Sequence, residues 1–346
     1  MKKDNPFTLT FGKQPNRFIS RYENIDTVTS TFVSENPISQ VYLIEGIRGS
    51  GKTVLMTTIT NELAKNDDWI VVDLNSTQNL MEDLAMRLMD SIKKIPNLME
   101  KGFTLSFGGF GIGVGGDTID RDYISMIEEL LTYVKKKNKK VIITIDEVMH
   151  DKNMKVFASQ FQIFLRKDYP VYLLMTGLYE NIYAVQNDPA LTFLLRSPKI
   201  KLAPLSLSQI TSQYHNIFDI STDEARMLAS ITKGYAFAFQ ALGLLYWEYR
   251  DSKELDDILQ ELDSMLDDFV YKKIWENLSK QDKRVILGIG EADSIQVKEL
   301  CKKIDMKSQS MSKYRERLMN KGLIYSPEYG ELSITLPRFY NVVRKY

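Results

Sequence analysis

The sequence predicts an α/β fold with a parallel sheet that helices cover on both faces. Helical patterns over residues 52–64 and 80–92 alternate with short, almost wholly apolar runs. Apolar runs without polar alternation are typical of parallel strands that are buried on both faces. A chain of 346 residues has room for two or three domains. The apolar runs are residues 41–45 (VYLIE), 69–74 (WIVVDL), 141–145 (VIITI) and 171–176 (VYLLMT).

The composition is that of an ordinary globular protein and argues against a disordered, collagen-like or coiled-coil chain. The 45 Lys and Arg residues balance 45 Asp and Glu residues, so any attraction to a polyanion must be local. Cys301 has no second cysteine for a disulfide, and two separated histidines, His150 and His215, are too few for a structural zinc site. Because no run of about 18 apolar residues occurs, we expect a cytoplasmic protein without membrane contact.

A phosphate-binding loop follows the first apolar run. Residues 46–53 read GIRGSGKT and fit the pattern G-x-x-x-x-G-K-[ST]. Backbone N–H groups of such a loop wrap the phosphates of ATP or ADP, and the start of the next helix adds positive potential. We expect Lys52 to reach the β- and γ-phosphates and Thr53 to bind Mg²⁺. The predicted nucleotide contacts here are Gly46, Arg48, Gly49, Ser50, Gly51, Lys52, Thr53 and Val54.

Polar residues follow the later apolar runs. Asp146 and Glu147 end the third run, and we expect Asp146 to hold the magnesium shell and Glu147 to act as general base on the attacking water. Thr176 ends the fourth run and is expected beside Asp146, where it contacts the γ-phosphate or the water. Arg196 precedes a further short strand. It is either an arginine finger, for a neighbouring subunit's phosphate or its own, or a surface residue.

Residues 103–116 (FTLSFGGFGIGVGG) interrupt the alternation of strands and helices. Apolar residues alternate with small or polar ones on both sides of Gly108-Gly109, which predicts a β-hairpin inserted in the core. Its glycines indicate either the close approach of another backbone or local flexibility.

The strand pattern stops after Leu205, and two regions of different character follow. Residues 206–275 read as several helices, one of them with an acidic solvated face. The last seventy residues show three helical patterns, then two short apolar segments that flank the turn cluster 327–330. Three helices and a hairpin predict a winged helix-turn-helix. The predicted division is a core with its hairpin insert over 1–204, a helical lid over 205–277 and a winged helix over 278–346.

Together, the loop and the Asp146-Glu147 pair resemble AAA+ and STAND P-loop ATPases, in particular archaeal-type and origin-recognition-like initiator ATPases. The resemblance implies a P-loop core of three αβα layers with a parallel sheet, followed by a helical lid and a winged helix-turn-helix. Residues 17–21 (RFISR) look like a segment that borders the adenine in that family. The implied base-pocket residues are Phe18, Ile19 and Arg21, and an ordinary packed arm is the alternative.

The lid departs from the family pattern. The family usually carries a G-x-P motif or a sensor arginine there, whereas residues 232–243 read TKGYAFAFQALG, with Ala236 in place of the proline and Lys233 as the only cation. The resemblance still implies that Gly234 and Tyr235 approach the nucleotide. Without a lid arginine, tight ATP binding with slow hydrolysis is an alternative to rapid turnover.

The C-terminal region carries a local positive charge. Residues 279–346 contain 14 Lys and Arg against 8 Asp and Glu. Basic groups on a recognition helix anchor on phosphates, and short polar groups at its start read base edges. Acidic Glu328 and Glu331 at the wing tip instead favour a regulatory or protein-contact role. The predicted contacts with duplex DNA are Lys307, Ser310, Lys313, Arg315 and Arg317.

Two functions are therefore consistent with the sequence. The first is a DNA-associated AAA+ ATPase whose nucleotide state moves the winged helix. The alternative is a STAND-type signalling switch, in which ATP converts a closed monomer into an open homo-oligomer and the partner is a protein.

Overall fold

The computed structural model describes residues 4–10, 17–94, 119–290 and 294–346. The chain divides into two compact units. The first, here called the sheet unit, contains Arg21–Glu45 and Lys52–Lys201. The second, here called the helical unit, contains the described part of residues 1–20 together with Gly46–Gly51 and Leu202–Tyr346. The predicted hairpin at 103–116 lies outside the described residues, and the division into core, lid and winged helix stays a prediction.

A five-stranded parallel sheet forms the centre of the sheet unit. The strand order is β2-β3-β4-β1-β5, and every pairing is parallel. The four predicted apolar runs are its first four strands, and β1 and β4 are buried along their whole length. The predicted α/β fold with a parallel sheet is therefore confirmed. The strands are β1 (Val41–Glu45), β2 (Trp69–Leu74), β3 (Lys140–Ile145), β4 (Val171–Gly177) and β5 (Lys199–Lys201).

Amphipathic helices cover this sheet. One of them buries Met154, Phe157, Phe161 and Phe164, a spacing of three and four residues that places them on one face. The same helix begins after Asp151, whose carboxylate accepts the N–H of Met154 at 2.8 Å. A 3₁₀ helix, Thr192–Arg196, precedes β5. The α-helices are α1 (Tyr22–Val33), α2 (Lys52–Leu63), α3 (Leu80–Lys94), α4 (Ile119–Lys136), α5 (Lys152–Arg166) and α6 (Tyr179–Gln186).

The first part of the helical unit packs around one central helix, Ala236–Tyr249, which is buried over most of its length. Phe7, from the N-terminal arm, packs against Tyr214 and Phe239, with ring centroids 5.9 and 5.6 Å away. A π-helical turn, Asp267–Tyr271, follows the fourth helix. The helices are α7 (Leu207–Phe218), α8 (Thr222–Ile231), α9 (Ala236–Tyr249), α10 (Leu255–Leu266) and α11 (Lys272–Glu276).

The C-terminal part of this unit combines four short or medium helices with a small antiparallel sheet. The sheet has the strand order β6-β8-β7, and its first strand lies between the first and second helices of this part. Ser279 and Asp282 form a capping box at the start of the first helix. The elements are α12 (Lys280–Ile289), β6 (Ile295–Gln296), α13 (Val297–Lys303), α14 (Ser308–Asn320), β7 (Ile324–Tyr325), β8 (Glu331–Ile334) and α15 (Phe339–Val343). Among the described residues, no helix has the length and apolar character needed to cross a membrane.

Candidate nucleotide site

The predicted phosphate-binding loop connects β1 to α2. Gly49 and Gly51 adopt positive φ angles of 75° and 91°, a backbone conformation that glycine reaches without steric cost. The N–H of Ser50 donates to the carbonyl of Ile47 at 3.2 Å and tightens the turn. Helix α2 begins at Lys52, directly after the loop. The loop therefore ends at a helix N-terminus, where the helix dipole favours phosphate.

A row of polar side chains lies at the carboxyl ends of β3 and β4 in the sheet unit. The Thr53 hydroxyl donates to Asp146 Oδ2 at 2.7 Å, and the Thr176 hydroxyl donates to Asp146 Oδ1. The N–H of Glu147 donates to the hydroxyl oxygen of Thr176 at 3.3 Å. The structure thus brings together four residues from three distant segments of the sequence, all of which are predicted for one site. Their individual roles stay predictions.

Glu147 has a strained backbone that its neighbours hold in place. Its φ angle is +52°, which costs a non-glycine residue free energy and persists only where the surroundings enforce it. The N–H of Val148, one residue on, donates to the carbonyl of Thr176 at 2.9 Å, and Val148 is buried. The Glu147 side chain is exposed, so a water molecule can reach its carboxylate.

Thr53 and Asp146 fit a magnesium ion. They supply a hydroxyl oxygen and a carboxylate oxygen within 2.7 Å of each other, and Mg²⁺ prefers hard oxygen ligands of this kind. Lys52, which precedes Thr53, is 7% exposed.

The start of α9 contacts the loop within the helical unit. The Tyr235 hydroxyl donates to the carbonyl of Arg48 at 2.7 Å, and the N–H of Phe237 donates to the carbonyl of Gly49 at 3.1 Å. Burial raises the pKa of the Tyr235 hydroxyl well above its ordinary value, so this group stays a donor. Gly234, with φ of +73°, accepts the N–H of Leu205 at 2.7 Å. Sequence reasoning named Gly234 and Tyr235 but missed Phe237, because that contact is made by its backbone.

The other predicted nucleotide residues take different places. Ile19 is buried in the apolar core of the helical unit, and Phe18 is half-buried. Arg21 immediately precedes α1, and its burial lowers the pKa of its guanidinium. Val54 is half-buried in the first turn of α2.

Arg196 ends the 3₁₀ helix and is exposed. The backbone on both sides of it is anchored by a residue that sequence reasoning missed. The buried side-chain amide of Gln186 donates to the carbonyls of Leu194 at 2.9 Å and Ser197 at 3.4 Å. No motif marks this glutamine, because its partners are backbone atoms.

The five predicted DNA residues divide into two groups. Lys307, Ser310 and Lys313 are exposed, and Arg315 is half-buried. Arg317 instead forms a salt bridge to Asp282, with its Nη2 2.6 Å from Oδ1 of a carboxylate that is 2% exposed. The guanidinium also donates to the Ser279 hydroxyl at 2.9 Å. Arg317 therefore joins α14 to the start of α12 within the fold.

Comparisons with known proteins agree with the fold. Residues 18–171 match the family model described as an ATPase domain predominantly from Archaea, and residues 268–342 match a domain of unknown function (DUF8462). The structure is similar to the ORC2 protein of Aeropyrum pernix in its ADPNP–ADP complexes (TM-score 0.62, 13% identity, 97% of this chain and 96% of that chain). It is also similar to Cdc6p of Pyrobaculum aerophilum (TM-score 0.51, 14% identity, 97% and 96%). No curated protein matches the sequence.

Residues 18–171 are therefore similar to an ATPase domain of the archaeal type. The fold of the chain is that of the Cdc6p and ORC2 structures named above. This confirms the resemblance that the motifs indicate.

Proposed function

We propose that the protein binds ATP with Mg²⁺, hydrolyses it slowly, and uses its nucleotide state to control a C-terminal winged helix that binds duplex DNA. The hydrogen-bonded row of Thr53, Asp146, Thr176 and Glu147 carries the ATPase part of this proposal. The exposed Glu147 carboxylate next to Thr53 and Asp146 supports a general base beside a magnesium-binding pair, which are the groups that hydrolysis of a γ-phosphate requires.

The residues act in the following way. Backbone N–H groups of residues 48–53 bind the phosphates, and the Lys52 ammonium, which follows Gly51 directly, offsets the charge of the β- and γ-phosphates. Thr53 and Asp146 hold the Mg²⁺, which when bound neutralises charge that develops on the phosphate oxygens. Glu147 orients a water and takes its proton as the water oxygen bonds to the γ-phosphorus. The bond from that phosphorus to the bridging oxygen breaks, and ADP and phosphate leave.

One contact supports control of the winged helix by the nucleotide. Gly322 follows α14, and a Cβ at this position would lie 3.2 Å from Cγ2 of Ile47 in the loop. The last turn before β7 thus packs directly on the phosphate-binding loop, inside the helical unit. Movement of Ile47 when phosphates enter or leave the loop reaches the end of α14, the helix that carries most of the predicted DNA contacts.

Exposed groups on α14 support DNA as the partner. Lys313 is exposed and lies on the same helix as Arg315, while Lys307 immediately precedes the helix. Basic groups on one helix attract the phosphate backbone, and the attraction weakens with salt because counterions are released.

The test is the rate of ATP hydrolysis across a titration of duplex DNA, at low and at physiological salt, with Glu147→Gln as the blank. The proposal expects a rate above the blank that rises with DNA and whose DNA response weakens with salt. A rate equal to the blank would refute hydrolysis through Glu147, and a rate indifferent to DNA would refute the DNA part.

A protein-directed switch is the second candidate, and the lid cation favours it. The Lys233 ammonium donates to the carbonyl of Ile334 at 3.3 Å, so it joins the lid to β8 instead of acting as a phosphate sensor. In this case ATP opens the chain for assembly with further copies, and exposed Leu195 and Arg196 face the neighbouring copy. Sedimentation of the Glu147→Gln variant with ATP and with ADP separates the candidates, because only the switch gains mass with ATP in the absence of DNA.

A further inference from the structure

The phosphate-binding loop is held from outside through its carbonyl groups. Tyr235 bonds the carbonyl of Arg48, and the N–H of Phe237 bonds the carbonyl of Gly49. In a trans peptide, the carbonyl of one residue and the N–H of the next point in opposite directions. Fixing the Arg48 carbonyl toward α9 therefore directs the N–H of Gly49 away from α9, while the N–H of Ser50 donates to the carbonyl of Ile47 within the loop.

The residue at position 49 gives a second, independent observation. The P-loop pattern requires glycine at 46 and 51 but leaves position 49 open. Gly49 has a φ of +75°, and a Cβ there would overlap the Tyr235 hydroxyl and lie 2.9 Å from Cζ of that ring. It would also lie 3.1 Å from Cβ of Phe237. Glycine at 49 is thus explained by the close approach of Tyr235, in addition to its backbone conformation.

We propose that Tyr235 is a positioning residue that fixes the Arg48–Gly49 peptide plane of the phosphate-binding loop and thereby sets the affinity of the loop for ATP. This inference rests on the proposed binding of ATP at the loop. Tyr235 itself does not bind the phosphates in this account. It acts through the backbone of Arg48 and Gly49, whose orientation decides whether consecutive N–H groups converge on an anion.

The energetic case comes from burial. Tyr235 is 5% exposed, so a lost hydroxyl is not replaced by bulk water at the Arg48 carbonyl. A buried acceptor left without its donor costs more free energy than an exposed one. Without this bond, a larger fraction of the molecules has the loop N–H groups turned away from the phosphate position. Because those molecules bind ATP poorly, the apparent Kd for ATP rises.

The test compares Tyr235→Phe with a matched control, Tyr214→Phe. Both variants remove one buried hydroxyl and keep the ring. The Tyr214 hydroxyl donates to the carbonyl of Phe239, also at 2.7 Å, and Tyr214 is fully buried. The control bond lies within the helices of the same unit and does not involve the loop. A general loss of stability therefore appears in both variants, whereas a loss of loop order appears only in the first.

The first readout is amide hydrogen exchange of a peptide covering residues 46–52, measured without nucleotide. We expect exchange in Tyr235→Phe to be about fivefold faster than in the parent protein, and unchanged in Tyr214→Phe. Equal exchange of this peptide in the two variants would overturn the inference. This readout does not depend on ATP binding, so it judges the positioning role even where the proposed function fails.

The second readout is ATP binding and turnover by the same variants. The inference expects the Kd for ATP to rise about fivefold in Tyr235→Phe, with kcat within a factor of two of the parent, and no rise in Tyr214→Phe. Faster loop exchange together with an unchanged Kd would overturn the link from the loop to affinity. A parent protein that binds no ATP would overturn the proposed function itself.

Discussion

The two units support the same loop motif in different ways. In the sheet unit, side chains of motif residues bond one another, as Thr53, Asp146 and Thr176 do. In the helical unit, the loop is held through its backbone carbonyls by Tyr235 and Phe237, which no motif names. The difference teaches that a motif identifies the groups that do the chemistry, while the groups that shape the loop can lie anywhere in the chain.

The largest expected effect tests the side-chain half of this comparison. Lys52→Ala removes the buried ammonium that offsets phosphate charge, so we expect the Kd for ATP to rise at least about 100-fold. Titration calorimetry measures it. Lys65→Ala serves as the control, since Lys65 lies just after α2 and pairs with exposed Glu62. Binding of ATP by Lys52→Ala within tenfold of the parent would contradict the assignment.

The next effect tests the backbone half. Gly49→Ala meets both a positive φ and the Tyr235 ring, and we expect it to lower the free energy of unfolding by about 2–3 kcal/mol. Gly330→Ala is the matched control. Its φ of +82° carries the same backbone cost, but its nearest neighbour is Gln296 Oε1 at 3.3 Å, so we expect about 1 kcal/mol. Chemical denaturation measures both, and equal losses would remove the steric role of Tyr235.

The smallest effects separate a supporting arginine from surface cations on α14. Arg317→Met leaves the buried Asp282 carboxylate without its guanidinium partner, and we expect a loss of about 2 kcal/mol in unfolding free energy.

Lys313→Gln leaves the free energy of unfolding within about 0.5 kcal/mol of the parent's but lowers the salt slope of DNA binding by about one. Chemical denaturation measures the stability of both variants, and DNA binding at several salt concentrations measures the salt slope of Lys313→Gln. A Lys313→Gln variant with the parent's salt slope would exclude Lys313 from the DNA contacts.

Sequence reasoning predicted the strands and the polar row because both depend on short patterns. A buried parallel strand is an apolar run, and parallel strands end at one edge, so Asp146 and Thr176 had to be neighbours. It could not predict the contact of Tyr235 with Arg48, because these two residues are 187 positions apart in the sequence. Nor could it distinguish Arg317 from the cations around it, since the partner Asp282 lies on another helix.

Because the phosphate-binding loop belongs to the helical unit, a truncated fragment of the protein loses contacts of the loop. A fragment that ends at residue 201 keeps every nucleotide motif, because Gly46–Gly51, Asp146 and Thr176 all precede that point. It lacks Tyr235, Phe237 and Gly322, which pack on the loop in the full chain. Such a fragment carries the ATPase motifs, but its loop lacks these supporting contacts. We therefore expect the fragment to bind ATP more weakly than the whole protein does.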